Sequence, residues 1–353
     1  MTRSRRLPTA AALAAAAALV LTGCGTTSVS ATDSDAPAAP TSAGCKADST
    51  KTATGPVTIT DGVGRTVELD APAKRVVVLE WQQIEDTLTL CVTPTAVADP
   101  EGYGTWVKAE KLPASVQSAG TREEPDLDAI AATKPDLVIV EAFKKDDEKI
   151  TKLEKRGIPV LATLGADTSD PIGNMKKVFT TIAKATGRTD RADEVLDQFD
   201  DHLAAAKAAV QDADLPTEEF LFFDGWIEGG NVVIRPYGKG ALFTALGEEL
   251  GLQSAWTDEI DKAYGNGGVD PAYGLGQTDI EGLTAVGSAN LFYANDEEAG
   301  SYVTELDKSS IWTALPAVED GRAHAFPAGT WGAGGPLSNE QAIDAYVDAI
   351  TAG

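Results

Sequence analysis

Short apolar runs recur along this chain at the spacing of strands, and the stretches between them carry helical periodicity. RVVVLE, PTAVAD, DLVIVE and IPVLAT follow one another, separated by the helix-like segments QQIEDTLTL, PDLDAIAATKP and DDEKITKLEKRG. Leu127 and Ile130 share one face of the second segment, and Gly157 stops the third. Runs of Val, Ile and Leu without polar alternation suit strands covered on both faces, the mark of parallel sheets with crossover helices. The rhythm resumes after Pro216 with EFLFFDGW, NVVIR, GALFTALGEELG, ANLFYAND, RAHAFP and a closing helix NEQAIDAYVDAI. Between the halves lies a helical tract, opened by Pro171, interrupted at Gly187 and rich in Ala and acid, which suits a long solvated helix with one apolar stripe. The expected fold is α/β: two Rossmann-like lobes, residues 57–170 and 214–353, joined by one long inter-lobe helical segment, 171–213. Val57, Ile59, Val67 and Leu69 alternate with polar residues around Asp61-Gly62 and predict a hairpin at the start of the first lobe.

The first 23 residues read as a secretory leader. Arg3, Arg5 and Arg6 precede an uninterrupted apolar core from Ala10 to Leu21, too short for the ~20 residues a membrane-spanning helix needs. Leu21-Thr22-Gly23-Cys24 resembles the lipobox of bacterial lipoproteins, which implies cleavage before Cys24 and its lipidation. Acyl chains then hold the protein to the membrane by burying methylenes. Residues 24–56 are Ser, Thr, Ala, Pro, Gly and Asp with few large apolar side chains, and read as a flexible linker. Two cysteines remain, Cys45 and Cys91. In an exported chain an even pair suggests a disulfide, with two separate thiols as the alternative.

The formal net charge is −25, and the leader's three arginines make the remainder more negative still. Such a surface repels nucleic acid. Motifs of catalysis are missing: no G-x-S-x-G, H-E-x-x-H, Walker A loop or C-x-x-C is present, and the GAGGP stretch at Gly332–Pro336 lacks dinucleotide-binding spacing. Two histidines, His202 and His324, read as a solvated helix residue and a structural strand residue. A protein that captures a bare divalent metal gathers several His and carboxylate ligands. Neither an enzyme nor a direct metal site is expected.

The loops after the strands carry another signal. DPEGYGTWV holds Tyr103 and Trp106, SAGTREEPD holds Arg122, and VEAF ends on Phe143. In the second half FFDGWIEGG holds Trp226, VVIRPYGKG holds Arg235 and Tyr237, DPAYGLG holds Tyr273, and FPAGTWGAGG holds Trp331. Loops at the carboxyl ends of parallel strands are where α/β sheets present ligands, and Trp, Tyr and Arg supply rigid contact area and directed donors. Trp106, Arg122, Phe143, Trp226, Arg235, Tyr237, Tyr273 and Trp331 form the expected ligand-binding set.

KRVVVLEWQQIEDTLTLCVTPTAVAD, GTREEPDLDAIAATKPDLVIV and WTALPAVEDGRAHAFPAGTWGAGGPLS together resemble the iron–siderophore binding proteins of ABC importers, over roughly residues 57 to 350. The resemblance implies the class III periplasmic binding protein fold, with a cleft between two lobes and modest closure. It implies a ferric siderophore as ligand and an ABC permease with its ATPase as partners. The chain is then an extracytoplasmic protein, lipid-anchored at the cell membrane. The pattern is similar to that of the ferric-hydroxamate binders, whose Trp and Arg fall here at Trp106 and Arg122, the Arg donating to hydroxamate oxygens. That subfamily's next pocket Tyr falls at Lys144 beside Phe143, and its second-lobe Trp at Tyr273. Its acidic permease-docking residues fall at Glu281 and near Glu148, where Asp147 competes. No cofactor and no direct protein ligand to iron are implied, since siderophore oxygens saturate Fe³⁺. Charge agrees with a hydroxamate: a tris-catecholate carries three negative charges, and the cations available are Arg122, Arg235 and Lys262 on an acidic body. Cobalamin or haem in the same fold is the alternative.

Overall fold

The computed structural model describes residues 43–295 and 301–351. The leader, Cys24 and the linker up to residue 42 lie outside the described residues.

The first sheet is five parallel strands in the order Gln117–Ser118, Ala96–Val97, Val76–Val78, Leu137–Glu141, Val160–Thr163. Its central strand is completely buried, with Val76, Val77 and Val78 at 0% exposure, as apolar runs without alternation require. The strand Gln117–Ser118 has no counterpart in the sequence reading. It is an edge strand of two exposed polar residues, so no apolar pattern marks it. The predicted hairpin forms, pairing Val57 with Leu69 and Ile59 with Val67. The second sheet is mixed: Glu219–Glu228 pairs in parallel with Asn290–Tyr293 and antiparallel with Asn231–Pro236.

The long tract between the sheets is two helices, Pro171–Thr186 and Thr189–Asp212, rather than one. Gly187 takes the left-handed conformation (φ 72°), and the following N–H, of Arg188, returns to Ala183 O at 2.7 Å. That turn closes the first helix in a way a side-chain-bearing residue resists. Both helices are shared between cores. Met175 joins the core of the second sheet, while Phe179 and Ile182 join that of the first. In the second helix Ala192 and Val195 lie in the first core, and Phe199, Ala206 and Val210 in the second.

Composition assigns residues 24–56 to a flexible linker, but its described end is held against the body. Cys45 is buried and joined to Cys91 by a disulfide. The Arg188 guanidinium, itself 5% exposed, reaches Asp48, Thr52 Oγ1 and Leu90 O. Ala53 N–H bonds to Gly187 O at 2.7 Å. The buried arginine draws a stretch without large apolar side chains onto the fold.

Candidate functional site

The strand order of the first sheet reverses at Val76–Val78, which has Ala96–Val97 on one side and Leu137–Glu141 on the other. The crevice outside the carboxyl ends at such a switch is where open α/β sheets hold ligands. The central strand delivers Glu80 there. Its backbone is extended, and its Oε1 accepts the N–H of Trp81, capping the helix Trp81–Thr89. Arg122 arrives from a tight turn. Gly120 sits at φ 91°, and a Cβ there would fall 2.5 Å from the Asp126 nitrogen and 2.8 Å from Glu124 O, so only glycine lets the loop fold back. Arg122 Nη2 meets Glu80 Oε1 at 2.7 Å, and its guanidinium lies 4.2 Å from the centre of the Trp81 ring and 6.0 Å from that of Trp331. Trp81 and Trp331 stand edge to face at 4.9 Å. The Arg122 Nε is buried with no hydrogen-bond partner among the described residues.

The second sheet repeats this unit. Asp224 and Arg235 are directly opposed on neighbouring antiparallel strands. Arg235 Nε donates to Asp224 Oδ1 at 2.8 Å, the Tyr237 hydroxyl donates to Oδ2 at 3.2 Å, and the guanidinium lies 5.8 Å from the Trp226 ring. Each sheet thus supplies a carboxylate, an arginine and a tryptophan.

These groups line two adjoining cavities of about 340 Å³ and about 300 Å³, whose walls share Arg122, Arg235, Tyr237 and Trp331. Trp106 and Trp226 line the second and Tyr273 the first. Phe143 lines neither. The strand ends at Glu141, and the Phe143 side chain turns outward, 48% exposed and edge-on to Tyr273 at 5.8 Å. Glu141 lines the cleft instead and accepts a hydrogen bond from the Tyr273 hydroxyl at 2.6 Å. Burial, and then the Glu80 carboxylate, raise its pKa. Lys262 lines neither cavity, and Tyr103 is a core residue whose hydroxyl donates to Glu110 O at 2.8 Å.

Arg122 pairs with Glu80 and not with Glu123 or Glu124, its chain neighbours. Glu80, Trp81, Glu141 and Asp224 were absent from the sequence-derived set. A signal for two of them existed: Glu80 and Glu141 are the first charged residues at the ends of all-apolar strands. The two expected docking acids are exposed, Glu148 at the start of the helix Glu148–Glu154 and Glu281 in the first turn of the 3₁₀ helix Ile280–Val286. Glu148 is paired with Lys152 at 2.7 Å, while Asp147 caps the helix by accepting the Lys149 N–H. His202 meets Asp344 at 2.9 Å, and His324 stacks on Phe292. Among the described residues no three His, Cys, Asp or Glu side chains gather to hold a metal ion.

Comparison with known proteins points to one family of binding proteins. The iron(3+)-hydroxamate-binding protein FhuD of Escherichia coli is 26% identical over 267 residues, 75% of this chain and 82% of that one. The Fe(3+)-citrate-binding protein YfmC of Bacillus subtilis is 28% identical over 278 residues, 77% of this chain and 79% of that one. Among solved structures, the Fe3+–Desferal-bound siderophore-binding protein FhuD of Vibrio cholerae superposes with a TM-score of 0.65 at 26% identity, covering 79% of this chain and 98% of that one. These relatives are binding proteins and not enzymes, and the shared architecture is the class III periplasmic binding protein fold. The periplasmic binding protein family model matches residues 76–271, from the central strand of the first sheet to the loop before Tyr273, and the chain belongs to that family.

Proposed function

We propose that the cleft captures a ferric siderophore of the hydroxamate type and that the loaded protein delivers it to an ABC permease for iron uptake. The observation that carries this reading is Arg122, a guanidinium lying over the Trp81 ring, with Trp331 edge-on to that ring and an Arg122 N–H that has no partner among the described residues. Planar donors of this kind suit the oxygens of a metal-bound hydroxamate, and the rings suit its organic shell. The iron travels as cargo, already ligated by the siderophore. Arg122, Arg235, Tyr237 and Tyr273 offer polar contacts, and Trp106, Trp226 and Trp331 apolar ones. Both arginines are already paired with carboxylates. That leaves little positive charge for a tris-catecholate and accommodates a complex without negative charge. Lipidation at Cys24 tethers the protein on the extracytoplasmic face, and Glu148 and Glu281 meet the permease, whose ATPase drives transport.

The test is a titration of intrinsic tryptophan fluorescence with a panel of ferric trihydroxamate, ferric citrate, ferric tris-catecholate, cobalamin and haem. Saturable quenching strongest for the trihydroxamate is the expected result. Preference for any other member would replace the reading with that ligand.

A further inference from the structure

The register of the first sheet sets two carboxylates side by side. Val78 lies opposite Ile139, and the Leu79 N–H bonds to Ile139 O. Two residues further, Glu80 and Glu141 leave the carboxyl ends of neighbouring parallel strands, which run ~4.8 Å apart. The two are not equivalent. Glu80 is neutralised by Arg122. Glu141 has no ion-pair partner among the described residues: Oε1 accepts from Tyr273, and Oε2 has no hydrogen-bond donor there. Oε2 lies against Gly165, where a Cβ would fall 2.3 Å away, so the glycine leaves the carboxyl room at the cavity wall. The cavity lining follows the same arithmetic of charge. Arg122 and Arg235 are matched by Glu80 and Asp224, while Glu141 and Asp167 are left over. A positive group entering this cavity finds an unmatched carboxylate, and a negative one finds repulsion.

The geometry points to Glu141 as a specificity residue that seats a cationic group of the ligand, a primary ammonium carried on the periphery of the ferric complex. This rests on the reading of the cleft as a ferric-hydroxamate site and narrows it to linear trihydroxamates with a terminal alkylammonium. The ammonium donates to Oε2, Tyr273 keeps Oε1, and Arg122, held by Glu80 at the neighbouring strand end, faces the hydroxamate oxygens. In the empty cleft burial and the Glu80 charge disfavour the ionised carboxyl, and an ammonium at Oε2 supplies the counter-charge that restores it.

Three probes separate the possibilities: a ferric linear trihydroxamate with a free terminal amine, the same complex N-acetylated and therefore without the charge, and an uncharged cyclic ferric trihydroxamate. Fluorescence titration of the full mature protein should show the amine form binding roughly tenfold more tightly than the acetylated form, one decade of affinity. In Glu141→Gln the ratio of the two affinities should fall to about one. Equal affinity of the parent for amine and acetylated forms, or an unchanged ratio in Glu141→Gln, overturns the cation site while leaving the hydroxamate reading intact. Failure of all three complexes to bind overturns the hydroxamate reading itself. The comparison within the parent needs no variant, so a poorly folding Glu141→Gln leaves the proposal open to refutation.

Discussion

Arg122→Ala removes two things from the cleft: a set of planar donors and the counter-charge of Glu80. The guanidinium side chain is 28% exposed and the Glu80 side chain 11%, so both act in a partly desolvated setting. A hydrogen bond to a charged group contributes roughly 1.5–3 kcal/mol. At 1.4 kcal/mol per decade, losing one such bond to a hydroxamate oxygen weakens binding by about 10-fold to about 100-fold. Glu80, left beside Glu141 without its cation, turns a negative face to the ligand's oxygens and moves the loss toward the upper end. Arg122→Lys keeps the charge but gives up the fork and the guanidinium contact over the Trp81 ring at 4.2 Å, so it should recover only part of the affinity. The double variant Glu80→Gln with Arg122→Ala removes the stray carboxylate. It should bind more tightly than Arg122→Ala alone and less tightly than the parent. The assay is tryptophan quenching by a ferric trihydroxamate, with thermal melting in parallel to show that each variant is folded. If Arg122→Ala melts as a folded protein and binds as tightly as the parent, the ligand is not held at Arg122, and the centre of the cleft has been misplaced.

Asp86 is buried with neither carboxylate oxygen hydrogen-bonded among the described residues, and burial, then the Glu85 charge, push its pKa well up from the ordinary 3.8. Unfolded it ionises at the ordinary value, so the native state loses stability as pH rises above 3.8 and until the folded-state pKa is passed. The melting temperature of Asp86→Asn relative to the parent should therefore climb between about pH 4 and 7, by roughly 2–4 °C per kcal/mol, whatever constant offset the amide brings; a difference independent of pH refutes this. Glu281→Lys should stop siderophore-dependent iron uptake while fluorescence titration shows unchanged ligand binding, and normal uptake counts against a docking role. Cys24→Ala should move the protein from the membrane fraction to the soluble one, and an acylated, membrane-bound variant would show that another residue is the anchor.

The strands at 76–78, 96–97, 137–141 and 160–163 were legible because burial on both faces leaves unbroken apolar runs, a signal that needs no partner to be read. Gln117–Ser118 was not, since an exposed edge imposes no such composition. Arg122 and Arg235 could be singled out as cations in loops or at strand ends. The partner of Arg122 could not be found locally, since Glu80 is 42 positions away. Asp224 could have been read from the hairpin, because the register of Glu219–Glu228 with Asn231–Pro236 fixes the pair once the turn is placed at Gly229-Gly230. Aromatic residues were the weaker guide. Phe143 has the right chemistry in the right loop, yet the chain turns at Ala142 and presents it outward, and no periodicity reports that turn. The tract from residue 171 was legible as helical, with Gly187 as its interruption, but its division between the two cores depends on which turn meets which sheet.

The pairing of each arginine with a carboxylate decides what an acidic chain can bind. A bare guanidinium in a cleft would attract any small anion, and an unpaired carboxylate any cation. Glu80 holds Arg122 through one oxygen and Asp224 holds Arg235 through both, and each pair fixes a guanidinium at the cavity wall. The tryptophans at 4.2 Å and 5.8 Å hold those planes in place and present apolar surface beside the donors. Because one such unit rises from each sheet, a ligand engages both only if it spans the cleft, which a chelate enclosing its metal in an organic shell does and a free metal ion or simple anion does not. Selectivity then follows from size and from charge neutrality at the metal complex, with Glu141 as the unmatched carboxylate that can distinguish one such complex from another.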